Sequence, residues 1–141
     1  MRTQVGSCTL STSDLTLDRP LPITVLLADD NEHLRDAIGR HLGSDPEIEV
    51  VAVAHEFSQC IRLCFRIRPD IVLLDVHMRD EKSVSPEQVK TSFSETRVIA
   101  MSLWIDDETK QLADLFGALV LLDKSSLAAE LIPAIKRCAK A

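Results

Sequence analysis

Polar residues that could act together follow several short apolar runs of this 141-residue sequence. They are Asp29, Asp30, Asp75, Ser102 and Lys124. Three carboxylates brought to one place repel one another, and a bound divalent cation and the Lys124 ammonium group would offset that repulsion. These residue types therefore predict a site for a hard cation, on the condition that the fold brings them together.

The elements that must position these residues are five short runs rich in leucine and β-branched residues, which alternate with segments of helical period. The runs are apolar at nearly every position, which is typical of parallel strands covered by helices on both faces. We therefore predict an α/β fold, a doubly wound five-stranded parallel sheet. The predicted strands are 23–28, 48–53, 71–74, 98–101 and 119–122.

The segments between these strands carry apolar residues at helical spacing. The first helix has Asn31 as its predicted N-cap and Gly43 at its end, and the third, 86–92, has Ser85 as its cap. The remaining helices are predicted near 56–67, 106–116 and 126–139. The predicted buried faces include Leu34, Ala37, Ile38, His41 and Leu42 in the first helix, Phe57, Cys60, Ile61, Cys64 and Phe65 in the second, and Leu112, Leu115 and Phe116 in the fourth.

The candidate residues fall at the ends of four of the five predicted strands. In an open parallel sheet, ligands bind at the edge formed by the carboxyl ends of the strands. A single acidic residue after a strand often only begins the next helix, as Asp30 could do with Asn31. Because polar candidates end four different strands, a shared site explains them better than separate helix caps do.

The composition opposes several classes of function. A net charge of −6 and a pI near 5.1 disfavour binding to nucleic acid or anionic lipid. No apolar run approaches the roughly 18 residues that suggest a membrane span, and residues 1–22 contain no apolar block typical of a secretory signal. We therefore expect a cytoplasmic protein with no membrane contact.

Two further patterns bear on the domain organisation. Residues 1–22 are rich in Ser and Thr and end in Pro20-Leu21-Pro22, which predicts a disordered lead-in before one domain at 23–141. Cys60 and Cys64 lie one helical turn apart, but a zinc site needs two more ligands and only His55 is near. Core packing is therefore the favoured interpretation of these cysteines.

The candidate residues and their neighbours resemble the response-regulator receiver domain, the CheY-like module of bacterial two-component signalling, over about residues 23–139. The resemblance implies a flavodoxin-like sheet with strand order 2-1-3-4-5. The stretch from Leu121 to Leu131 is also similar to receivers that precede LuxR-type helix-turn-helix domains, and the sequence leaves open whether such an output domain belongs to the protein. The matching motifs are Leu-Leu-Ala-Asp-Asp ending at Asp30, Ile-Val-Leu-Leu-Asp-Val-His-Met around Asp75, Ile-Ala-Met-Ser ending at Ser102, and Gly-Ala-Leu-Val-Leu-Leu-Asp-Lys ending at Lys124.

The resemblance also implies a function for each candidate residue. A sensor histidine kinase or phosphotransfer protein would phosphorylate Asp75, and Ser102 and Lys124 would contact phosphoryl oxygens. Such a module catalyses only its own phosphorylation and dephosphorylation, can form a homodimer when phosphorylated, and does not bind nucleic acid through this domain. The cofactor would be Mg²⁺, held by Asp29, Asp30, Asp75 and the main-chain carbonyl of His77.

The sequence departs from the family pattern at several positions. Arg79 stands where the family has a proline, and Leu121 stands where it has Tyr or Phe. Without an aromatic side chain at 121, transmission of the signal depends on Ser102 pulling its loop or on helix shifts. Trp104, the only tryptophan, lies at the edge of the predicted pocket.

Three alternatives stay open at this point. A degenerate receiver would bind partners without being phosphorylated, although all five candidate side chains are present. An aspartyl phosphohydrolase would carry D-x-D after its first strand, whereas Asp75-Val76-His77 follows the third. A cobalamin-binding domain would carry D-x-H-x-x-G, whereas Asp80 stands in place of that glycine.

Overall fold

A computed structural model describes residues 21–141 of the chain. The predicted disordered lead-in at 1–22 lies outside the described residues, apart from its last two. The described part contains five strands and five α-helices that alternate along the chain. They are β1 (Ile23–Ala28), α1 (Glu32–Gly43), β2 (Ile48–Ala54), α2 (Phe57–Ile67), β3 (Ile71–Asp75), α3 (Pro86–Ser92), β4 (Arg97–Ser102), α4 (Asp107–Leu115), β5 (Val120–Asp123) and α5 (Leu127–Ala139).

The five strands form one parallel sheet in the order β2-β1-β3-β4-β5. This arrangement confirms the predicted fold class and strand order. Parallel pairing makes all the strands end at the same edge, and β1 and β3, the two central neighbours, end at Ala28 and Asp75. The loops that carry most of the candidate residues therefore leave the sheet side by side.

Helices cover both faces of the sheet, because successive strand residues point to opposite sides. On one side Leu26 and Leu74 belong to a core that includes side chains of α2, α3 and α4. On the other side Leu27 and Leu73 belong to a core with side chains of α1 and α5. Burial of both faces explains why the strands are apolar at nearly every position.

Capping side chains define where three of the helices begin. Asn31 accepts a hydrogen bond from the N–H of Leu34 at the start of α1, and Ser85 accepts one from Gln88 at the start of α3. The structure thus confirms Asn31 and Ser85 as the predicted N-caps. Asp106 does the same for Thr109 in α4, and its pKa is lowered by the hydrogen bonds from Thr109.

Three residues predicted on buried helix faces are exposed instead. They are Ala37 in α1, Phe65 in α2 and Leu115 in α4. At 3.6 residues per turn, each lies roughly 110–140° around its helix from the middle of the fully buried positions. The prediction was wrong for these three residues because helical spacing alone predicts a wider buried stripe than the part of each helix that the sheet covers.

The cysteine interpretation is confirmed. Cys60 and Cys64 are buried in the core under α2, and burial raises the pKa of the Cys60 thiol far above its usual value. Between residues 21 and 141, the one group of acidic, histidine or cysteine side chains placed to share a metal ion contains no cysteine. No helix in that range is long and apolar enough to cross a membrane.

Asp80, in the loop after β3, forms hydrogen bonds with the start of α2. Its two carboxylate oxygens accept hydrogen bonds from the N–H groups of Phe57 (2.7 Å) and Ser58 (3.1 Å). Partial burial opposes ionisation of Asp80, but these hydrogen bonds outweigh it and lower the pKa of the carboxyl group. Residue 56, the local N-cap position, makes no such bond, so a distant loop supplies the cap of α2.

We expect Asp80→Ala to lower the free energy of unfolding by about 1–2 kcal/mol, because two N–H groups at the start of α2 lose their acceptor. Urea unfolding followed by circular dichroism measures the change. Asp114→Ala is the matched control, since Asp114 is exposed on α4. Equal stability of the two variants would contradict the cap.

Candidate functional site

Three carboxylates converge at the carboxyl edge of the sheet. One ligand oxygen from each of Asp29, Asp30 and Asp75 lies within 4.8 Å of the other two. Pairing of β1 with β3 sets this distance, because Ala28 is aligned with Leu74 and the acidic residues come next in both strands. Asp29 and Asp75 are buried and Asp30 is half-buried.

The Asp75 side chain is held by groups from two different loops. Its Oδ1 accepts a hydrogen bond from the N–H of His77 (3.0 Å), and its Oδ2 lies 3.1 Å from Nζ of Lys124. The residue is only 4% exposed. The orientation of this carboxylate is therefore determined before any ligand arrives.

Lys124 lies between two of the buried carboxylates. Its Nζ is 2.6 Å from Oδ2 of Asp29 and 3.1 Å from Oδ2 of Asp75. Burial alone would lower the pKa of this lysine, but the two carboxylates outweigh burial and raise it above its ordinary value. The contact with Asp29 is an ion pair that lacks the alignment of a hydrogen bond, so Asp29 Oδ2 keeps unused acceptor capacity.

The charges of this cluster do not balance without a further cation. Three carboxylates face one ammonium group, and the Arg35 guanidinium group, which donates to the main-chain oxygen of Asp29 (2.8 Å), still leaves one negative charge in excess. Oδ1 of Asp29 already accepts the N–H of Asn31 (2.8 Å). Oxygen ligands from a few carboxylates, completed by water and phosphate, are what Mg²⁺ prefers. Asp29, Asp30 and Asp75 therefore fit a magnesium ion by their chemistry and spacing.

The His77 carbonyl was the fourth predicted ligand. Between residues 21 and 141, no backbone N–H donates to it, so its oxygen is available. The His77 side chain is occupied elsewhere: Nδ1 lies 3.0 Å from Glu81 Oε2, Nε2 lies 3.4 Å from Thr109 Oγ1, and the ring meets the Trp104 ring edge-on at 6.2 Å. Only its main chain is therefore free to face a metal.

Ser102 ends β4 next to β3 and is 1% exposed. In the register of these strands Asp75 is aligned with Met101, so Ser102 is one residue beyond the position level with Asp75. Its Oγ accepts a hydrogen bond from the N–H of Trp104 (3.0 Å). Because Oγ is already an acceptor, the hydroxyl hydrogen remains to be donated to a ligand.

Two residues that contact the His77 ring, Thr109 and Glu81, were not among the residues predicted from the sequence. Thr109 is a buried polar residue in the first turn of α4, and Glu81 lies in a 3₁₀ turn after β3. The spacing of Asp106 and Thr109 signals a helix cap, which was a usable clue for Thr109. No local pattern signals that Asp80 caps α2, because the partners are 22 and 23 residues apart.

Burial raises the pKa of Asp75 to about 6. Lys124 and the hydrogen bond from His77 oppose this rise, while the nearby Asp29 adds to it. Since the folded-state pKa is above the unfolded value, the ionised form of Asp75 costs stability as the pH rises through this range. The metal-free site is therefore strained electrostatically at neutral pH.

We expect Asp75→Asn to stabilise the metal-free protein by up to about 3 kcal/mol near pH 7.5 and by only about 1 kcal/mol near pH 4.5. The gain fades because acid protonates Asp75 in the folded state and starts to protonate it in the unfolded state. Urea unfolding in EDTA at the two pH values measures it, with Asp36→Asn on the exposed face of α1 as control. A less stable Asp75→Asn variant near pH 7.5 would contradict this electrostatic account.

The curated proteins that this chain resembles include a transcriptional regulator and an enzyme. The transcriptional regulatory protein LiaR of Bacillus subtilis is 34% identical over 119 residues, which cover 84% of this chain and 56% of LiaR. A protein-glutamate methylesterase/protein-glutamine glutaminase of Anaeromyxobacter dehalogenans is 32% identical over 110 residues, covering 78% of this chain and 32% of that protein. The chain thus spans about half or less of the length of these relatives.

A solved structure and a family model identify which domain of these relatives corresponds to this chain. The signal receiver domain of NarL from Mycobacterium tuberculosis superposes with a TM-score of 0.77 at 27% identity, covering 86% of this chain and 99% of that one. The family model described as the response regulator receiver domain matches residues 25–136. With the sheet order and the acidic edge described above, the chain belongs to the response regulator receiver domain family of two-component systems.

Proposed function

We propose that this chain is the phosphoacceptor module of a two-component His-Asp phosphorelay, phosphorylated on Asp75 by a histidine kinase in a reaction that requires Mg²⁺. The observation that carries the proposal is the contact of the buried Lys124 ammonium group with both Asp29 and Asp75. A purely structural ion pair needs one carboxylate, whereas this lysine contacts two, and a ligand oxygen of Asp30 lies within 4.8 Å of one from each of them. Such an excess of acidic groups suits a site that receives a cation and a phosphoryl group.

The transfer needs little covalent chemistry from the protein. A carboxylate oxygen of Asp75 attacks phosphorus as the P–N bond of the donor phosphohistidine breaks, and the departing imidazole nitrogen keeps the electron pair and can then take a proton. Oδ1 accepts the N–H of His77 and Oδ2 accepts the Lys124 ammonium group, so Oδ2 becomes the attacking atom once Lys124 moves to a phosphoryl oxygen. Catalysis here is positioning of Asp75 and neutralisation of charge.

Neutralisation comes from donors already in place around Asp75. Lys124 can shift its ammonium group from the carboxylates to a phosphoryl oxygen, and Ser102 can donate its hydroxyl hydrogen to another. Mg²⁺, when bound by Asp29, Asp30, Asp75 and the His77 carbonyl, supplies Lewis-acid stabilisation of the transferred group. Ser102 and Lys124 are thus catalytic residues in this proposal.

The partners follow from this function. The chain would receive its phosphoryl group from a sensor histidine kinase or a phosphotransfer protein, in the cytoplasm, and would catalyse only its own phosphorylation and dephosphorylation. It could pair with a second copy when phosphorylated. Its acidic charge argues against nucleic-acid contact through this domain, so any DNA binding would belong to another domain. The relative LiaR is a transcriptional regulatory protein of which this chain matches 56%.

The alternative of a receiver that works without phosphorylation has no specific support. Such a receiver would have a missing or misplaced phosphoacceptor, whereas Asp75 is present and is oriented by His77 and Lys124. We therefore treat that alternative as an outcome of the experiment below and not as a second proposal.

We expect incubation with acetyl phosphate and Mg²⁺ to add the mass of one phosphoryl group to the intact protein. The Asp75→Asn variant should gain none, and EDTA should abolish the gain in the wild type. Asp30→Asn should react about 10- to 100-fold more slowly at limiting Mg²⁺, since it loses a metal ligand. Intact-mass spectrometry over time measures all four samples.

Asp36→Asn is the matched control for the charge change, because Asp36 is exposed on α1. It should react at the wild-type rate. No gain of mass in the wild type with acetyl phosphate or with a phosphorylated histidine donor would overturn the proposed function and favour the non-phosphorylated alternative. A full gain in Asp75→Asn would overturn the assignment of Asp75 as the phosphorylated residue.

A further inference from the structure

The exposed side of α2 is positively charged, although the chain as a whole is acidic. Between residues 57 and 68 the charged residues are Arg62, Arg66 and Arg68, whereas the chain has a net charge of −6. All three are exposed, and within the described part of the chain Arg62 and Arg66 form no ion pair. Arg68 lies 3.6 Å from Glu95, but both side chains are mostly exposed, so this pair contributes little. The helix therefore presents cationic groups that are available to an acidic partner.

An exposed aromatic ring lies among these arginines. Phe65 is 63% exposed and, with Arg66, follows Arg62 by three and four residues, so the three side chains share one side of the helix. Phe65, Arg68 and Asp70 also line a groove of about 260 Å³ at the amino edge of the sheet. We call the three arginines, Phe65 and this groove the basic surface of α2. Its chemistry suits an acidic segment that also carries apolar side chains.

A segment of this chain has that composition. Residues 14–18, which lie outside the described residues, read Asp-Leu-Thr-Leu-Asp. Two carboxylates thus flank two leucines within five residues. This pattern complements a surface on which guanidinium groups surround an exposed ring and a groove.

The start of β1 brings this segment close to the basic surface. The N–H and the hydroxyl of Thr24 donate to Asp70 Oδ2 at 2.9 and 3.0 Å, and Asp70 lines the groove two residues after Arg68. Asp18 precedes Thr24 by six residues, which span up to roughly 20 Å in an extended chain. The segment can therefore reach the surface, and its attachment to the domain gives it an effective concentration on the order of millimolar there.

We propose that residues 14–18 bind to the basic surface of α2 in the same chain. The two leucines pack against Phe65 and the groove, and the two aspartates pair with the arginines. A short stretch of this kind can become ordered on binding, although the composition around it predicts disorder. The proposal goes beyond the proposed function and does not depend on phosphorylation.

Limited proteolysis of the full chain tests this binding without a label. Asp-N endoproteinase cleaves before aspartate, so it cuts at Asp14 and Asp18 only when the segment is released. Intact-mass spectrometry over time measures the cleavage rate, in buffer with no phosphoryl donor. With a dissociation constant of about 0.1 mM against an effective concentration of about 1 mM, release of the segment should speed cleavage about tenfold.

Variants of α2 release the segment and leave the cleavage sites unchanged. We expect Arg62→Gln/Arg66→Gln and Phe65→Ser each to be cleaved about 5- to 10-fold faster than the wild type at these sites. Arg40→Gln on α1 and Leu115→Ser on α4 are the matched controls, since both residues are exposed on other helices. The controls should be cleaved at the wild-type rate. Circular dichroism establishes that the variants are folded.

Three results would overturn the proposal. Equal cleavage rates in the wild type and both α2 variants would show that the segment is unbound in the wild type. Equally fast cleavage in the controls would show that the protection does not depend on the basic surface. Protection that disappears when the chain is diluted would assign the bound segment to a second copy and not to the same chain.

Discussion

The crowding of like charges at one buried edge is the constraint on which the rest of this molecule depends. Asp29 and Asp75 are both buried, and one lysine, Lys124, contacts both of them. Burial disfavours ionised carboxylates, so such a cluster persists only if the surrounding fold is stable enough to hold it. The site therefore destabilises the fold at the place where the proposed chemistry needs these carboxylates, which is a common property of functional sites.

The stability of the sheet offsets this repulsion, because both faces of the sheet are covered by helices. Leucines 26, 27, 73 and 74 of the two central strands are fully or almost fully buried, and they fix the ends of those strands against helices on both sides. The loops beyond them then have little freedom, and Asp80 restricts one of them further by capping α2. The acidic edge is therefore a rigid feature of the fold and not a cluster of surface charges.

Much of this arrangement was predictable from the sequence, because it depends on the spacing of apolar residues and on which residues follow each strand. Apolar runs located the strands, and parallel pairing then placed Asp29, Asp30 and Asp75 at one edge. The contacts of His77 with Glu81, Thr109 and Trp104 were not predictable, since they depend on side-chain directions in loops. The exposure of Phe65 was missed for a related reason: spacing shows which residues share a side of a helix, but not how wide a strip the sheet covers.

The most direct test of the central claim is calorimetric titration of the unphosphorylated chain with Mg²⁺ near neutral pH. If the carboxylates hold more negative charge than Lys124 can balance, one Mg²⁺ binds per chain, and Asp30→Asn weakens that binding by about tenfold or more. The absence of Mg²⁺ binding, or an Asp30→Asn variant that binds Mg²⁺ as tightly as the wild type, would contradict the account.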